Sequence, residues 1–117
     1  MDLAKIFRLF SKDKTDVHPQ ITYNHEFFRN FKKNLPLHDH ELVVFDTELT
    51  GFDVNKDEII AIGAVKIHNL QIQCGSTFYT MVKPDRKQHT PSTLVHRLTP
   101  SELAKAKPLT EALPEFL

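Results

Sequence analysis

The sequence predicts an α/β fold: a three-stranded antiparallel meander followed by helix, with a helical leader in front. Three observations carry that expectation. Apolar residues in the first 40 positions recur at helical spacing, and three strand-like runs separated by turn residues follow between Glu41 and Val82. A proline-containing helix start then appears at Thr99.

The leader comes first. Leu3, Ile6, Phe7 and Phe10 fall at i, i+3, i+4 and i+7, the spacing of one helical face. Asn24, Phe27, Phe28 and Phe31 repeat the pattern before Pro36, and the polar stretch Ser11–Gln20 separates the two sets. Residues 1–40 therefore read as two short amphipathic helices forming a leader or linker. Their aromatic faces suit docking on protein better than on a membrane surface, because each helix is short and its charge is mixed.

From Glu41 the texture changes. Leu42–Phe45 is apolar on both faces, as a central buried strand should be. Glu58–Ile67 is a second, nearly continuous apolar run rich in branched residues. Gly75–Val82 alternates with period two, and the polar turn His68–Gln73 makes the second and third strands a hairpin. Lys83-Pro84-Asp85 then breaks the strand. Thr99-Pro100-Ser101-Glu102 has the form of a capping box with proline at the first helical position. That helix ends before Pro108. Thr110 opens another, with Leu113, Phe116 and Leu117 on one face and Pro114 early enough to be tolerated.

Composition places the chain among ordinary globular proteins: 117 residues, 40% hydrophobic, 26% charged. Cys74 is the lone cysteine, so no intrachain disulfide forms and a reducing compartment is expected. No apolar run approaches the roughly 20 residues of a membrane span, and the N-terminus lacks a signal-peptide core. These features predict a cytoplasmic protein without a membrane partner. Formal net charge is zero, but its distribution is uneven. Glu41, Asp46, Glu48, Asp53, Asp57 and Glu58 cluster before a basic stretch that includes Lys83, Arg86, Lys87, Arg97, Lys105 and Lys107. That order suits a metal site beside a phosphate track, although from charge alone two solvated faces are the favoured reading.

Asp46 and Glu48 close the first strand. Strand alternation puts both on one face, roughly 7 Å apart. Carboxylates ending a buried strand are costly unless a positive charge pairs with them, and a hard divalent cation would do so. Asp-x-Glu is nevertheless a cheap pattern that usually marks exposed acids or a helix cap. Thr50-Gly51 would let the backbone bend next to the pair, where a phosphodiester could approach.

The wider context is more specific. The run VVFDTELTGFDVNKDEIIAIGAVKI, followed by FYTMVKP and then PSTLVHRLT, resembles the first acidic motif and following segments of the DEDD-type 3′–5′ exonucleases, the family of the DNA polymerase III epsilon proofreading subunit. The resemblance covers residues 41–117 and implies the first portion of a ribonuclease H-like domain. It implies that Asp46 and Glu48 are catalytic metal ligands for two divalent cations, Mg²⁺ or Mn²⁺. Thr47, Leu49 and Thr50 match positions lining the pocket for the terminal nucleotide, and His96 matches a histidine that approaches the substrate. A histidine merely packed against the sheet is the alternative for His96. Two departures stand out. Leu49 replaces a residue that is often threonine. Arg97 replaces the usual glycine after the histidine, which predicts a different turn there, since arginine disfavours positive φ.

The resemblance implies two-metal phosphodiester hydrolysis at the 3′ end of a nucleic acid, with DNA the expected substrate and a DNA polymerase subunit a candidate partner. The family's later aspartates and its general-base histidine have no counterpart here, and none of His18, His25, His38 and His40 stands at a matching position. The chain alone is therefore expected to be inactive. A non-catalytic module that binds nucleic acid or a polymerase is the rival reading. A membrane-associated or regulatory role centred on residues 1–40 is a weaker one. In the family the first strand is interior, paired also with a later parallel strand. Without that strand, Glu41–Thr47 should present an open edge, and Ile59, Ile60, Ile62 and Val65 should be partly uncovered. Homodimerisation, aggregation or coverage by the leader helices would follow.

Overall fold

The computed structural model describes residues 19–53, 56–85 and 97–117. The helical set expected at Leu3–Phe10 lies outside the described residues, as does His96. The described residues fall into two compact units, one around the first helix and one spanning Asn34–Phe116.

Helix α1, Pro19–Arg29, begins on a proline, whose missing N–H costs nothing in a first turn, and ends on a basic residue that suits the C-terminal end of the helix dipole. Asn30 closes it, its side chain donating to the Glu26 carbonyl at 3.2 Å. The helix stops before Phe31, so the fourth member of the expected aromatic face is held by a turn bond to the Phe28 carbonyl and not by the helix itself.

The larger unit is built on a four-stranded sheet in the order β1-β2-β3-β4. Strand β1 is Leu42–Leu49, β2 is Ile59–His68 and β3 is Gln71–Lys83. The first three form the expected antiparallel meander. The hairpin between β2 and β3 is tighter than the sequence suggested. Only Asn69 and Leu70 lie in the loop, both left-handed with φ of 50° and 59°, the two-positive-φ pattern of a type I′ turn. Strand β3 consequently starts at Gln71. The period-two pattern begins only at Gly75, and the register slips just before it: Val65 pairs with Thr77 while Ile67 pairs with Ile72, so β3 carries surplus residues across Gln73–Ser76.

Helix α2, Pro100–Leu103, forms with the capping box complete: the Glu102 amide donates to the Thr99 hydroxyl at 3.3 Å, and the Thr99 amide donates back to the Glu102 carboxylate at 2.8 Å. The fourth strand was not anticipated. β4 is two residues long, Lys107–Pro108, and runs parallel to β3 opposite Val82 and Lys83. A pattern of two residues carries no period, and Pro108 points away from strand; it is tolerated at this short terminal rung. Helix α3, Leu109–Phe116, follows at once.

The core lies between α3 and one face of the sheet. Ile62, Val82 and Ala112 are its buried centre, with Ile59, Phe78, Leu109 and Phe116 packed around them. Two expectations change here. Ile60 and Ile62 are fully buried rather than uncovered, and at Ile62 the cover that later helices were expected to provide comes from α3. Conversely β1 is the open edge expected in the absence of a later parallel strand, among the described residues, so the central burial read from Leu42–Phe45 does not hold: Val43, Val44 and Phe45 are 52%, 55% and 42% exposed. Apolar residues on both faces report a preference for burial, while burial itself requires a neighbouring element.

Leu70→Gly should stabilise the chain by about 1 kcal/mol, because a bulky L-residue in the left-handed region is strained and glycine is not; an unchanged denaturation midpoint would refute the turn assignment. Hydrogen bonds from the Thr99 hydroxyl, then its amide, hold the Glu102 carboxyl below its ordinary pKa. A depressed carboxyl contributes stability above its unfolded pKa and loses it as pH falls through the folded value. Thr99 amide protection, followed by NMR, should therefore fade on acidification through that range and be absent at all pH values in Glu102→Ala.

Candidate active site

The sheet register fixes where the two carboxylates face. Asp46 stands opposite Gly63, and Glu48 opposite Ala61. Across the next pair, Gly63 faces Tyr79 and Ala61 faces Met81. The row next to Asp46 on the side away from Glu48 is Phe45, Ala64 and Phe78, and it lies under α3: the Phe116 ring is centred 5.3 Å from Phe45 and 5.7 Å from Phe78. Since alternate residues of a strand project to opposite faces, Asp46 and Glu48 share the face away from α3. An open depression beside Asp46 is lined by Val44, Gly63, Val65 and Thr77 among others. Gly63 makes its bare centre, where an added Cβ would meet only the Tyr79 ring, at 3.9 Å.

Both carboxylates are exposed. Asp46 accepts a hydrogen bond from the Thr47 amide at 2.9 Å, which orients one oxygen along the strand. With β1 at an edge, burial does not compel a cation here as the buried-strand expectation required. What remains is donor chemistry: two hard oxygen ligands on one face, suited to Mg²⁺ or Mn²⁺. Among the described residues no group of three or more His, Cys, Asp or Glu side chains converges to hold a metal. Asp46 and Glu48 thus fit part of a cation's shell and leave the rest to other ligands.

The other expected site residues separate. Thr47 pairs with Ile62, which pairs in turn with Thr80, so its side chain belongs to the α3 face and only its main chain sits between the carboxylates. Leu49 is half-buried opposite Ile59, across a register slip at Glu48/Leu49 that leaves Ile60 as the surplus residue of β2. A bulge there bends the chain just where the carboxylates end. Arg97 does adopt φ of 59°, a left-handed conformation that the sequence predicted to be disfavoured for arginine.

Thr50 is committed to the loop. Its hydroxyl donates to Asp57 Oδ1 at 2.7 Å and accepts from the Glu58 amide at 3.0 Å, while its amide donates to the Glu58 carbonyl at 2.9 Å. Asp57 Oδ2 accepts from the Asp53 amide at 2.7 Å. Gly51 does not have positive φ. Its lack of a side chain serves a different end from the sharp bend expected, because a Cβ would lie 2.6 Å from Asp57 Oδ2. The space beside Gly51 is taken by that carboxylate and not left for a phosphodiester. Next to it Phe52 is 96% exposed. Sequence reasoning passed over Asp57, Phe52 and Gly63. An aspartate seven residues after a threonine has no periodic signature, and an exposed phenylalanine is legible only once its neighbours are placed.

Comparison with known proteins supplies the context. A family model described as Exonuclease, of the RNase T type, matches residues 43–117. The DNA polymerase III PolC-type protein of Thermotoga maritima is 38% identical over 115 residues, which is 98% of this chain and 8% of that protein. A DNA polymerase III subunit epsilon-like protein of Rhodobacter capsulatus is 43% identical over 77 residues, 65% of this chain and 11% of that one. The chain therefore spans a small fraction of the length of these curated relatives. Among solved structures, the nuclease domain of 3′hExo, a DEDDh family member bound to rAMP, superposes with a TM-score of 0.58 at 17% identity, covering 68% of this chain and 42% of that one. Exonuclease X in complex with 5′ overhanging duplex DNA gives 0.56 at 23% identity, covering 63% and 42%. These two likenesses establish the ribonuclease H-like fold.

Proposed function

The chain belongs to the exonuclease family, and from that premise we propose that it carries the first acidic motif of a metal-dependent 3′–5′ exonuclease acting on DNA. The observation that carries this reading is the pair Asp46 and Glu48 on one open face at the end of β1, inside the segment that matches the family. The names of the curated relatives, both DNA polymerase III proteins, favour DNA and a replication setting with a polymerase partner. Asp46 and Glu48 would hold the divalent cations. Such cations supply activation of the attacking water and stabilisation of the departing 3′ oxygen.

The remaining roles fall to the chain itself. The Thr47 main chain, between the two carboxylates, lies where a terminal nucleotide would rest. The exposed Phe52 offers an aromatic face on which a base can stack. By the family resemblance alone His96 would approach the substrate, and Thr50 would serve the pocket through the turn it secures and not through a free hydroxyl. Two carboxylates do not complete a two-metal site, so the reading requires further ligands and a general base besides Asp46 and Glu48.

In the intact protein, Asp46→Ala or Glu48→Ala should lower 3′-end hydrolysis by about a hundredfold or more, since each deletes metal ligation. Both side chains are exposed, so the thermal midpoint should hardly move. Near-parental turnover in Asp46→Ala would remove this site from the reaction. The 117-residue chain by itself should bind Mn²⁺ weakly and trim no labelled oligonucleotide. Chelator-sensitive trimming by the purified chain, with contaminating nuclease excluded, would show that the site is complete within it.

A further inference from the structure

The connection from β1 to β2 is organised around one side chain that no functional role has yet claimed. The Asp57 carboxylate reaches the start of the loop through the Thr50 hydroxyl at 2.7 Å and its middle through the Asp53 amide at 2.7 Å. Thr50 passes the restraint on to the start of β2 by accepting from the Glu58 amide at 3.0 Å. The Asp57 amide itself donates to the Asp53 carbonyl at 2.8 Å, and Lys56 pairs with Asp53 at 3.1 Å. The carboxylate is partly buried, which strengthens these charge-assisted bonds relative to water. Gly51 packs directly onto it, so close that any side chain at 51 would have to displace it.

We propose that Asp57 is a positioning residue for substrate: it braces the Thr50-Gly51 turn so that Glu48, two residues upstream, and Phe52, two residues downstream of Thr50, hold fixed places beside the 3′ terminus of a bound strand. The proposal rests on the exonuclease reading above. Its physical content is preorganisation. A turn tied at three points need not be ordered when the nucleic acid arrives, so binding does not lose affinity to loop ordering.

The brace and its functional consequence are separable in the laboratory. The full 117-residue chain is titrated with 5′-fluorescein-labelled oligothymidylate in Mn²⁺, read by anisotropy, while amide exchange at Asp53 and Glu58 is followed by NMR. Asp57→Asn keeps an acceptor for the Thr50 hydroxyl but turns an amide N–H₂ toward the Asp53 amide, or the reverse. It should lose protection at Asp53 or Glu58 and bind about tenfold more weakly. Thr50→Val should behave alike, and Thr50→Ser, which restores the hydroxyl, should bind within about twofold of the parent. Gly51→Ala should weaken binding in the parent yet add nothing in an Asp57→Ala background, where its Cβ has room. Thermal midpoints are recorded so that every variant is compared while folded. If Asp57→Asn does not fold, the serine and valine variants at Thr50 carry the same comparison.

Parental binding by Asp57→Asn and Thr50→Val, with exchange protection lost, would overturn the proposal while leaving the nuclease reading standing. A parent chain that protects both amides but does not bind the oligonucleotide would instead overturn the substrate-positioning role and reduce Asp57 to a loop brace. The nuclease reading, which expects only weak Mn²⁺ binding by the isolated chain, is tested separately by the Asp46 and Glu48 variants. Unprotected Asp53 and Glu58 amides in the parent would overturn the brace itself.

Discussion

Everything at the candidate site depends on the alternation of β1 being pinned by one aromatic contact. Phe45 packs under Phe116, and with that residue committed to the α3 side the neighbours on either side of it must face the other way. A slip of one residue would drive Asp46 and Glu48 under the helix and leave Phe45 and Thr47 outside. The antiparallel register with β2 enforces the same arrangement through the backbone, and the Phe116–Phe78 contact secures the third strand to it. The acids are thus held on the open face by a hydrophobic contact on the closed one.

Much of this was legible in the residues. The three antiparallel strands, the capping box at Thr99 and the carboxylate pair on one face all follow from local patterns: period two, a four-residue signature, and alternation. The failures share a cause. Val43, Val44 and Phe45 looked central because their preference for burial is local, whereas their exposure is decided by which strand stands next to them. Strand β4 escaped notice because two residues, one of them proline, acquire strand geometry only from β3. Gly51 was read through its backbone freedom when its meaning lies in the carboxylate against it, seven-residue spacing from Thr50 to Asp57 being invisible to any periodic pattern.

Arg97 and Leu70 show the same point from the other side. Each holds a left-handed conformation that its side chain disfavours. At Leu70 the hairpin imposes it, since a two-residue connection between right-twisted strands needs positive φ at both positions. Local propensity is overruled there because the strand pairing on either side outweighs a cost of roughly 1–2 kcal/mol.

The brevity of that same hairpin also sets a chronology. Asn69 and Leu70 bring β2 and β3 together across the shortest possible loop, whereas β1 must close residues 50–58 and β4 must return from a distant part of the chain. Loop-closure entropy makes the nearest pairing the first to form, on the microsecond scale of isolated hairpins, and the others wait on it. The strand that bears the acids is therefore recruited onto a ready-made template. During folding the carboxylate-bearing strand docks late, after the apolar surface of β2 already has a partner in β3.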